Sequence, residues 1–333
     1  MDTHDVVVIG GGAAGLGAAL TLSRARRSVL VVDAGAPRNA PAEGVHVYPG
    51  REGTPPAELR AIGRAEVAAY GGEFLDGEAT GAERTGDGFL VTLRDGGVRR
   101  GRRLVVATGL VDELPAVPGV AELWGHDVLH CPYCHGWEVR DQPIGVLAGG
   151  PLAVHQALLW RQWSDDVVLF RHTADEFGED DRVALAARGI PVVAGEVAAL
   201  ETAGGRLSGV RLRSGEVVPR AALAVQSRFV ARSAVLGALG VEPEPVTMMG
   251  HEVGSAVPAD PMGATAVPGV WVAGNVTDLR AQVVAAAAAG VLTGAAVNAD
   301  LVAEDTRRAV AGDSRHAVPE GSRRVVAGLS QSA

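Results

Sequence analysis

The chain of 333 residues is long enough for two domains, and its 47% hydrophobic residues with 45 glycines are typical of an α/β protein with tight turns. A net charge of −9 argues against a nucleic-acid-binding surface. All 30 basic residues are arginine, which excludes lysine chemistry such as a Schiff base, and two cysteines do not make the disulfide framework of a small secreted protein.

The first segment has the pattern of a dinucleotide-binding unit. Within residues 5–33 an apolar strand, a glycine-rich turn, a helix of small residues and a second strand follow one another, and the second strand ends at Asp33. In the G-x-G-x-x-G turn, Gly10 makes the turn, Gly12 lets the backbone approach a pyrophosphate, and Gly15 lets the helix pack on the strand. The pyrophosphate would lie at the helix N-terminus, and Asp33 would bind ribose hydroxyls. The alternative is a glycine-rich turn without a ligand.

A Pro/Gly-rich loop follows the acidic residue and carries Arg38, Asn39 and His46. Loops at this place often wrap the ribityl chain and ring of a flavin, although a plain surface loop would have the same composition. The elements predicted beyond it are a helix over 58–70, strands over 89–93 and 104–106, and a strand-end turn over 107–109.

The only two cysteines, Cys131 and Cys134, are spaced C-x-x-C with Pro after the first. This spacing allows a small reversible disulfide, and the start of a helix lowers the pKa of a thiol. Only the thiolate attacks in disulfide exchange, so a nearby base is expected, and His126, His130 and His135 are candidates. Two buried cysteines close together by chance are one alternative. A zinc half-site is another, but there is no second Cys pair, and we predict no metal site.

Residues 114–119 and 240–245 are two Pro-containing hinges. The segment between them has the right size for an inserted domain. We therefore predict an α/β fold of two Rossmann-like domains, the second inserted in the first. Residues 1–117 and 245–333 would form the outer domain, and 118–244 the inserted one with the cysteines. Within the inserted piece the pattern predicts a strand over 144–148, a helix over 152–163 and a strand over 167–170, which is a second, degraded nucleotide-binding unit.

The last part returns to the outer domain. Residues 269–278 predict a strand and a polar turn, and a helix over 282–302 is nearly all Ala, Val and Gly, so that another group could lie close to its start. Residues 303–333 mix charges with Gly and Ser and predict a loose tail. The residues that follow Met1 contain no basic region, so we predict no signal peptide. The apolar run 283–297 is too short and too weakly hydrophobic to span a bilayer, so we expect a cytoplasmic protein that does not bind membranes.

Together these motifs resemble the low-molecular-weight thioredoxin reductases over about residues 4–302. The resemblance implies a homodimer of two Rossmann-like domains with FAD in the outer one. It implies that Cys134 lies against the flavin, that Cys131 exchanges with substrate, and that the backbone near Gln282 and Val283 faces the flavin pyrimidine. The predicted FAD-binding residues are Gly10, Gly12, Ala13, Ala14, Gly15, Asp33, Ala34, Arg38, Asn39, His46, Ala79, Ala107, Thr108, Gly109, Gly274, Asn275, Gln282 and Val283.

Three departures from the reductase pattern bear on function. His135 replaces the Asp that the reductases carry after the second Cys, and Asn275 replaces the Asp of their late Gly-Asp motif. Their inserted domain has an intact Gly-x-Gly-x-x-Ala turn and a His-Arg-Arg cluster for the 2′-phosphate of NADPH. Here the turn, 148–153, lacks its first Gly and contains Pro151, and the cluster is reduced to Arg-His at 171–172. Both changes in the turn restrict the backbone that must meet a pyrophosphate.

The stretch 131–139 with the weakened NADPH site resembles the dithiol oxidases of natural-product clusters, of the gliotoxin and holomycin type. The resemblance implies an FAD-dependent enzyme that closes a disulfide in a small dithiol and passes the electrons to oxygen, with Cys131, Cys134 and His135 as catalytic residues. NADP(H) is a doubtful cofactor. The main alternative is an NADPH-dependent thioredoxin reductase. A glutaredoxin fits poorly, because its CPYC begins a domain of ~100 residues, and a flavoprotein without turnover is the remaining possibility.

Overall fold

The computed structural model describes residues 3–150 and 152–312. Its strands are β1 (Thr3–Ile9), β2 (Val29–Asp33), β3 (Glu73–Asp76), β4 (Ala79–Thr85), β5 (Gly88–Leu93), β6 (Val98–Val106), β7 (Leu110–Glu113), β8 (Val128–Leu129), β9 (Ile144–Leu147), β10 (Val167–Phe170), β11 (Val192–Val193), β12 (Val197–Ala203), β13 (Arg206–Leu212), β14 (Val217–Val218), β15 (Ala222–Ala224), β16 (Arg228–Ala231), β17 (Glu244–Met248), β18 (His251–Ala256) and β19 (Val270–Val272). Its α-helices are α1 (Ala13–Arg24), α2 (Pro56–Ala69), α3 (Pro132–His135), α4 (Ala153–Trp160), α5 (Glu179–Ala187) and α6 (Val283–Val310). Two 3₁₀ helices cover Ala234–Leu239 and Gly274–Val276.

The first sheet has seven strands in the order β3-β2-β1-β6-β5-β4, and β19 also pairs with β6. Strands β1, β2, β3, β6 and β19 run parallel, whereas β4 and β5 form an antiparallel extension. Val7 and Ile9 of β1 belong to the core on one face, and Val6 and Val8 to the core on the other. The apolar run therefore reflects burial on both faces, and the predicted parallel strand is confirmed.

Helices α1 and α6 cross at very short range. A methyl group added at Gly290 would stand 2.0 Å from the carbonyl oxygen of Ala14, and one added at Gly17 would stand 2.5 Å from the carbonyl oxygen of Ala287. Only residues without a side chain allow the two backbones to approach this closely. The small residues of both helices thus bring the start of α6 beside the glycine-rich turn that begins α1.

A second sheet is entirely parallel, with five strands in the order β11-β10-β9-β15-β8. Strands β9 and β10 match the predicted pair, and α4 between them is shorter than predicted, because it ends at the buried Trp160 and turns at Arg161. A three-stranded antiparallel sheet, β12-β13-β14, lies within the same stretch of chain. The parallel part of the first sheet and the second sheet each contain a strand-turn-helix-strand unit, which confirms the predicted α/β class with Rossmann-type domains.

The fourth sheet joins strands from both predicted domains. Its order is β17-β18-β16-β7, so β16 pairs with β7 on one side and with β18 on the other. Strand β16 lies inside the predicted insertion 118–244, whereas its two partners lie outside it. The first sheet draws only on residues before 107 and after 269, and the second and third sheets only on 128–224. The domain boundaries at residues 117 and 245 therefore stay a prediction from the sequence.

Helix α6 is longer than the sequence indicated. The loose tail predicted from residue 303 is wrong for 303–310, which continue the helix, whereas 313–333 lie outside the described residues. Ion pairs explain the extension, because Glu304 lies 3.2 Å from a guanidinium nitrogen of Arg102 and 2.7 Å from one of Arg103. By length and composition alone, α6 is long and apolar enough to cross a membrane, so the argument that the apolar run 283–297 is too short and too weakly hydrophobic does not hold for the whole helix.

Candidate active site

One cavity of about 1200 Å³ collects most of the predicted site residues. It extends from the turn between β1 and α1, past α3, to the start of α4. Ligand pockets usually measure about 300–1,000 Å³, so this space can hold a large cofactor together with a substrate. Gly15 and Gly274 do not line it. The predicted residues that do are Gly10, Gly12, Ala13, Ala14, Asp33, Ala34, Arg38, Asn39, His46, Ala79, Ala107, Thr108, Gly109, Asn275, Gln282, Val283, Cys131, Cys134 and His135.

The glycine-rich turn has the shape that a pyrophosphate needs. A methyl group added at Gly12 would meet no atom within 4 Å, so the backbone here faces open space in the cavity. Gly10 has a φ of 107°, which other residues rarely adopt, and a methyl group at Gly15 would stand 1.8 Å from the carbonyl oxygen of Gly10. Gly15 therefore packs closely against Gly10 without lining the cavity. The turn fits the diphosphate of FAD.

Asp33 ends β2 and lies against the backbone of Gly11, where an added methyl group would be 2.6 Å from its carboxylate. The side chain is buried, and two arginines of α2 neutralise it: Arg60 donates to it at 2.8 Å and Arg64 lies 3.7 Å away. The backbone N–H of Gly35 donates to the other carboxylate oxygen at 3.3 Å. Sequence reasoning placed Asp33 at this corner but missed both arginines, because helical spacing alone does not show what α2 contacts.

The turn before α6 is held by its own side chains. Gly274 has a φ of 78°, and a methyl group there would stand 2.7 Å from the Cβ of Ala14. The amide of Asn275 donates to the carbonyl oxygens of Asp278 and Ala281, each at 2.9 Å. Asn275 thus fixes the turn that begins α6 and places the first residues of that helix at the cavity wall.

A buried ion pair lies on the wall of the same cavity. Arg38 binds Asp112 through two hydrogen bonds of 2.6 and 2.8 Å, and the hydroxyl of Ser227 donates to Asp112 at 2.8 Å. Burial raises the pKa of Asp112, but the hydrogen bonds and charge of Arg38 outweigh it, so that the pKa is lowered overall. The guanidinium of Arg38 also lies 5.3 Å from the ring centre of Phe229. Sequence reasoning missed Asp112 and Ser227, since no local motif marks them.

Cys131 and Cys134 are both thiols, at the N-cap and third residue of α3, and both are partly buried. The hydrogen bond from Cys134 is the largest cause that lowers the pKa of Cys131 to about 7, against the effect of burial, and the backbone N–H groups of Cys134 and Tyr133 contribute. The same contact and burial raise the pKa of Cys134. The amide of Gln282 lies 4.0 Å from the Cys134 sulfur. The contact between the two sulfurs therefore favours the thiolate form of Cys131 over that of Cys134.

His135 is the base candidate that the structure leaves unpartnered. Both of its ring nitrogens are buried, and neither has a hydrogen-bond partner among the described residues. Burial lowers its pKa, with Glu138 opposing this effect and the charge of His46 adding to it. At neutral pH the imidazole is therefore uncharged and able to accept a proton.

The other two candidate bases, His126 and His130, differ from His135. His130 also lines the cavity, stacks on Trp124 at 5.8 Å and meets Phe229 edge-on at 5.7 Å. Burial, followed by the charge of Arg38, lowers the pKa of His130 to about 4. His126 is exposed and does not line the cavity. Among the described residues no group of three or more His, Cys, Asp or Glu side chains could hold a metal ion.

The side chain of Gln226 lies close to the second glycine turn, before α4. A methyl group at Gly150 would stand 3.2 Å from its amide oxygen, whereas one at Gly149 would have no atom nearer than 4.0 Å. Leu152, the N-cap of α4, is buried in an apolar cluster with Leu110 of β7. Pro151, which the sequence singled out, lies outside the described residues.

The two basic residues after β10, Arg171 and His172, both contact other residues of the chain. Arg171 forms an ion pair with Glu176, and Nδ1 of His172 accepts a hydrogen bond of 3.0 Å from the backbone N–H of Val197. Both side chains that the sequence offered for a 2′-phosphate therefore already have partners within the chain.

Comparison with known proteins agrees with this geometry. The chain matches the family described as pyridine nucleotide-disulphide oxidoreductase over residues 4–290. Thioredoxin reductases tcpT of Claviceps purpurea and sirT of Leptosphaeria maculans are 33% and 30% identical over 318 residues, each covering 90% of this chain and 95% of the relative. Among solved structures, HlmI is 50% identical with a TM-score of 0.87, covering 93% of this chain and 96% of HlmI. An oxidoreductase from Agrobacterium tumefaciens is 34% identical with a TM-score of 0.84, covering 90% and 99%.

Proposed function

This chain belongs to the pyridine nucleotide-disulphide oxidoreductase family and is a flavin-dependent thiol–disulfide oxidoreductase with FAD as its cofactor, and within that family we propose that it is a dithiol oxidase. It would close an intramolecular disulfide in a small natural-product dithiol, and oxygen would take the electrons to give hydrogen peroxide. The observation that carries this proposal is the second glycine turn, where Gln226 lies close to Gly150. A reductase must admit NADPH at that turn, whereas an oxidase needs no second nucleotide.

The exchange begins at the Cys131–Cys134 disulfide. One substrate thiolate attacks the Cys131 sulfur, a substrate–Cys131 disulfide forms, and Cys134 leaves as a thiolate. The second substrate thiolate then attacks the substrate sulfur of that mixed disulfide, closes the product, and displaces Cys131 as a thiolate. Two electrons have moved to the cysteine pair and two protons have left the substrate. The backbone N–H groups of Cys134 and Tyr133, which lower the pKa of Cys131, favour its departure, because thiols of low pKa leave faster.

His135 would take a proton from an attacking substrate thiol. It lines the cavity with both cysteines, and the unprotonated one of its two unpartnered ring nitrogens can accept a proton. General-base help of this kind is typically worth about 10²–10⁴ in rate. His130 suits the role less well, because its pKa of about 4 makes it a weak base.

When bound, FAD would supply a two-electron acceptor between the cysteine pair and oxygen. The glycine turn, Asp33, the turn at 107–109 and the start of α6 would hold it, since all of them line the cavity. Gln282 would orient Cys134 on that side of the pair, through its amide 4.0 Å from the sulfur. Cys131 would remain on the substrate side.

The relatives named thioredoxin reductase favour a second candidate, an NADPH-dependent reductase. An anaerobic half-reaction separates the two. We expect a small dithiol to bleach the flavin absorbance of the purified protein rapidly and NADPH to bleach it slowly or not at all, with hydrogen peroxide formed when oxygen is admitted. Rapid bleaching by stoichiometric NADPH would establish the reductase instead.

We further propose a cytoplasmic homodimer. Leu292 and Val302 of α6 are 50% and 48% exposed, and with the exposed Ala288, Ala295 and Ala299 they form an apolar stripe along the helix. Large exposed apolar patches often mark protein interfaces. Replacing Leu292 by Asp should shift the mass measured by light scattering from dimer to monomer, and an unchanged mass would move the interface elsewhere.

A further inference from the structure

One face of α4 forms a wall of the cavity. The side chains that line the cavity from this helix and its N-cap have the spacing of a single helical face: Leu152, His155, Gln156 and Leu159. Leu152 belongs to an apolar cluster against which Phe229 and Met248 pack, and both of these also line the cavity. None of the FAD-binding residues predicted from the sequence comes from this helix, so the wall is available to a substrate.

Aromatic contacts connect this wall to the cysteines. Tyr133 stands between the two cysteines in the sequence, lines the cavity, and meets Trp163 edge-on with 5.5 Å between the ring centres. The ring of Trp163 in turn lies 6.3 Å from that of Trp160, the last residue of α4. A methyl group added at Gly136 would stand 2.9 Å from the ring of Trp163, so the end of α3 packs directly on this ring. The cysteine helix and α4 therefore form neighbouring walls of one space.

Two glutamines at the start of α4 have unsatisfied hydrogen-bonding groups. Gln156 and Gln226 both line the cavity, and the amide oxygen of each is buried without a hydrogen-bond partner in the parts of the chain that the structure describes. Gln156 lies in the first turn of α4, where its backbone N–H donates to the carbonyl oxygen of Leu152 at 2.9 Å, and Gln226 reaches the turn at Gly150. Buried polar groups normally have a partner, so these two amides indicate a ligand that supplies one.

The chemistry of these side chains indicates what that ligand carries. A glutamine amide has two N–H donors and one oxygen acceptor, and a half-turn about its last side-chain bond exchanges the two ends. The group that complements both ends is another amide, with its own N–H and carbonyl. The cavity-lining face of α4 carries neither an arginine nor a carboxylate, so it offers no ion pair to a charged substrate group.

We propose that the start of α4 is a substrate subsite, in which Gln156 and Gln226 bind a neutral secondary amide of the dithiol while its thiols face Cys131. The inference rests on the proposed oxidase function and names its substrate class, a small dithiol that carries at least one amide N–H. The apolar side chains around the glutamines, Leu152, Leu159 and Phe229, exclude water from these hydrogen bonds. Hydrogen bonds shielded in this way discriminate strongly against an analogue that lacks the donor.

Two dithiols that differ only at their amide nitrogens test this subsite. N,N′-Bis(mercaptoacetyl)hydrazine has an N–H on each amide, and its N,N′-dimethyl derivative has none. The rate of anaerobic flavin bleaching would be measured for both at limiting dithiol with the FAD-loaded wild type. Each rate would be divided by the uncatalysed rate of the same dithiol with oxidised glutathione, which corrects for intrinsic thiol reactivity. We expect the wild type to prefer the N–H dithiol about tenfold, which is what one or two hydrogen bonds contribute.

Glutamine variants identify the groups that cause the preference. Gln156→Leu and Gln226→Leu should each reduce it and the double variant should abolish it, through a slower reaction of the N–H dithiol alone. Each variant should retain FAD and melt no lower than the wild type, because the amide oxygen it removes has no partner to lose. Gln142→Leu is the matched control and should behave as wild type, since Gln142 lies outside the cavity and donates to the carbonyl oxygen of Glu138 at 3.3 Å.

The outcomes separate the subsite from the oxidase function. Equal corrected rates for the two dithiols, with hydrogen peroxide formed when oxygen is admitted, would overturn the subsite and leave the oxidase. A preference that survives in the double variant would overturn the subsite as well, because the amide would then be bound elsewhere. A preference that depends on both glutamines, in an enzyme that forms no hydrogen peroxide, would overturn the oxidase and leave the subsite. If neither dithiol bleaches the flavin although FAD is retained, both proposals fail.

Discussion

Removing the Cys134 sulfur should raise the pKa of Cys131, because the hydrogen bond between the two thiols is the largest cause of its lowered value. At a pKa of about 7, Cys131 is about half ionised at pH 7, whereas at its ordinary value of 9.0 only about 1% is thiolate. Each thiolate would, however, become about eightfold more nucleophilic, since reactivity rises with pKa with a Brønsted slope of about 0.4–0.5. Cys134→Ala should therefore react about sixfold more slowly at pH 7 and about sevenfold faster near pH 10.

These factors are upper limits, because the backbone N–H groups of Cys134 and Tyr133 still donate to Cys131. The assay is the rate of iodoacetamide alkylation of Cys131 between pH 5 and 10, followed by mass spectrometry, with the wild type reduced under nitrogen. Cys134→Ser is the matched control: its hydroxyl can still donate, so it should titrate between the wild type and Cys134→Ala. The reasoning is refuted if Cys134→Ala keeps the wild-type midpoint, or if the serine and alanine variants titrate alike.

Three further predictions concern the cofactor, the base and the helix crossing. Gly12→Leu should purify without its yellow colour but with unchanged circular dichroism, because the side chain would point into open cavity; retained flavin would contradict the site. His135→Asn should lose about 10²–10⁴ in dithiol oxidation at pH 7, and the loss should shrink toward pH 9, where substrate thiols of pKa about 8.5 ionise unaided; a loss equal at every pH between 6 and 9 would remove the base role. Gly290→Val should lower the melting temperature by about 5 °C or more, since the backbone of α1 cannot yield, whereas Gly81→Ala, with no atom within 4 Å, should not; equal melting temperatures would contradict the close crossing.

Much of the outer nucleotide unit could be predicted from the sequence, because its signals are local. A strand buried on both faces, the turn at Gly10 and Gly12, and the strand ending at Asp33 each depend on residues within one short stretch. The cysteine pair is local in the same sense, since Pro132 begins the single turn that makes Cys131 its N-cap. The lowered pKa of Cys131 comes chiefly from the Cys134 thiol, and the backbone N–H groups at the start of the helix add to it.

The contacts that make this cavity an active site come from distant parts of the chain. Asp112 meets Arg38 across 74 residues, and Glu138, in the turn after the cysteine helix, lies 3.5 Å from His46 in the loop between β2 and α2. The tail prediction failed at Glu304 for the same reason, because arginines about 200 residues earlier stabilise that end of α6. Backbone preference and hydrophobic periodicity act over a few residues, so the sequence alone determined the nucleotide unit and the redox pair. Charge pairing and burial depend on which surfaces meet, so only the tertiary structure decided which carboxylates stand beside the histidines.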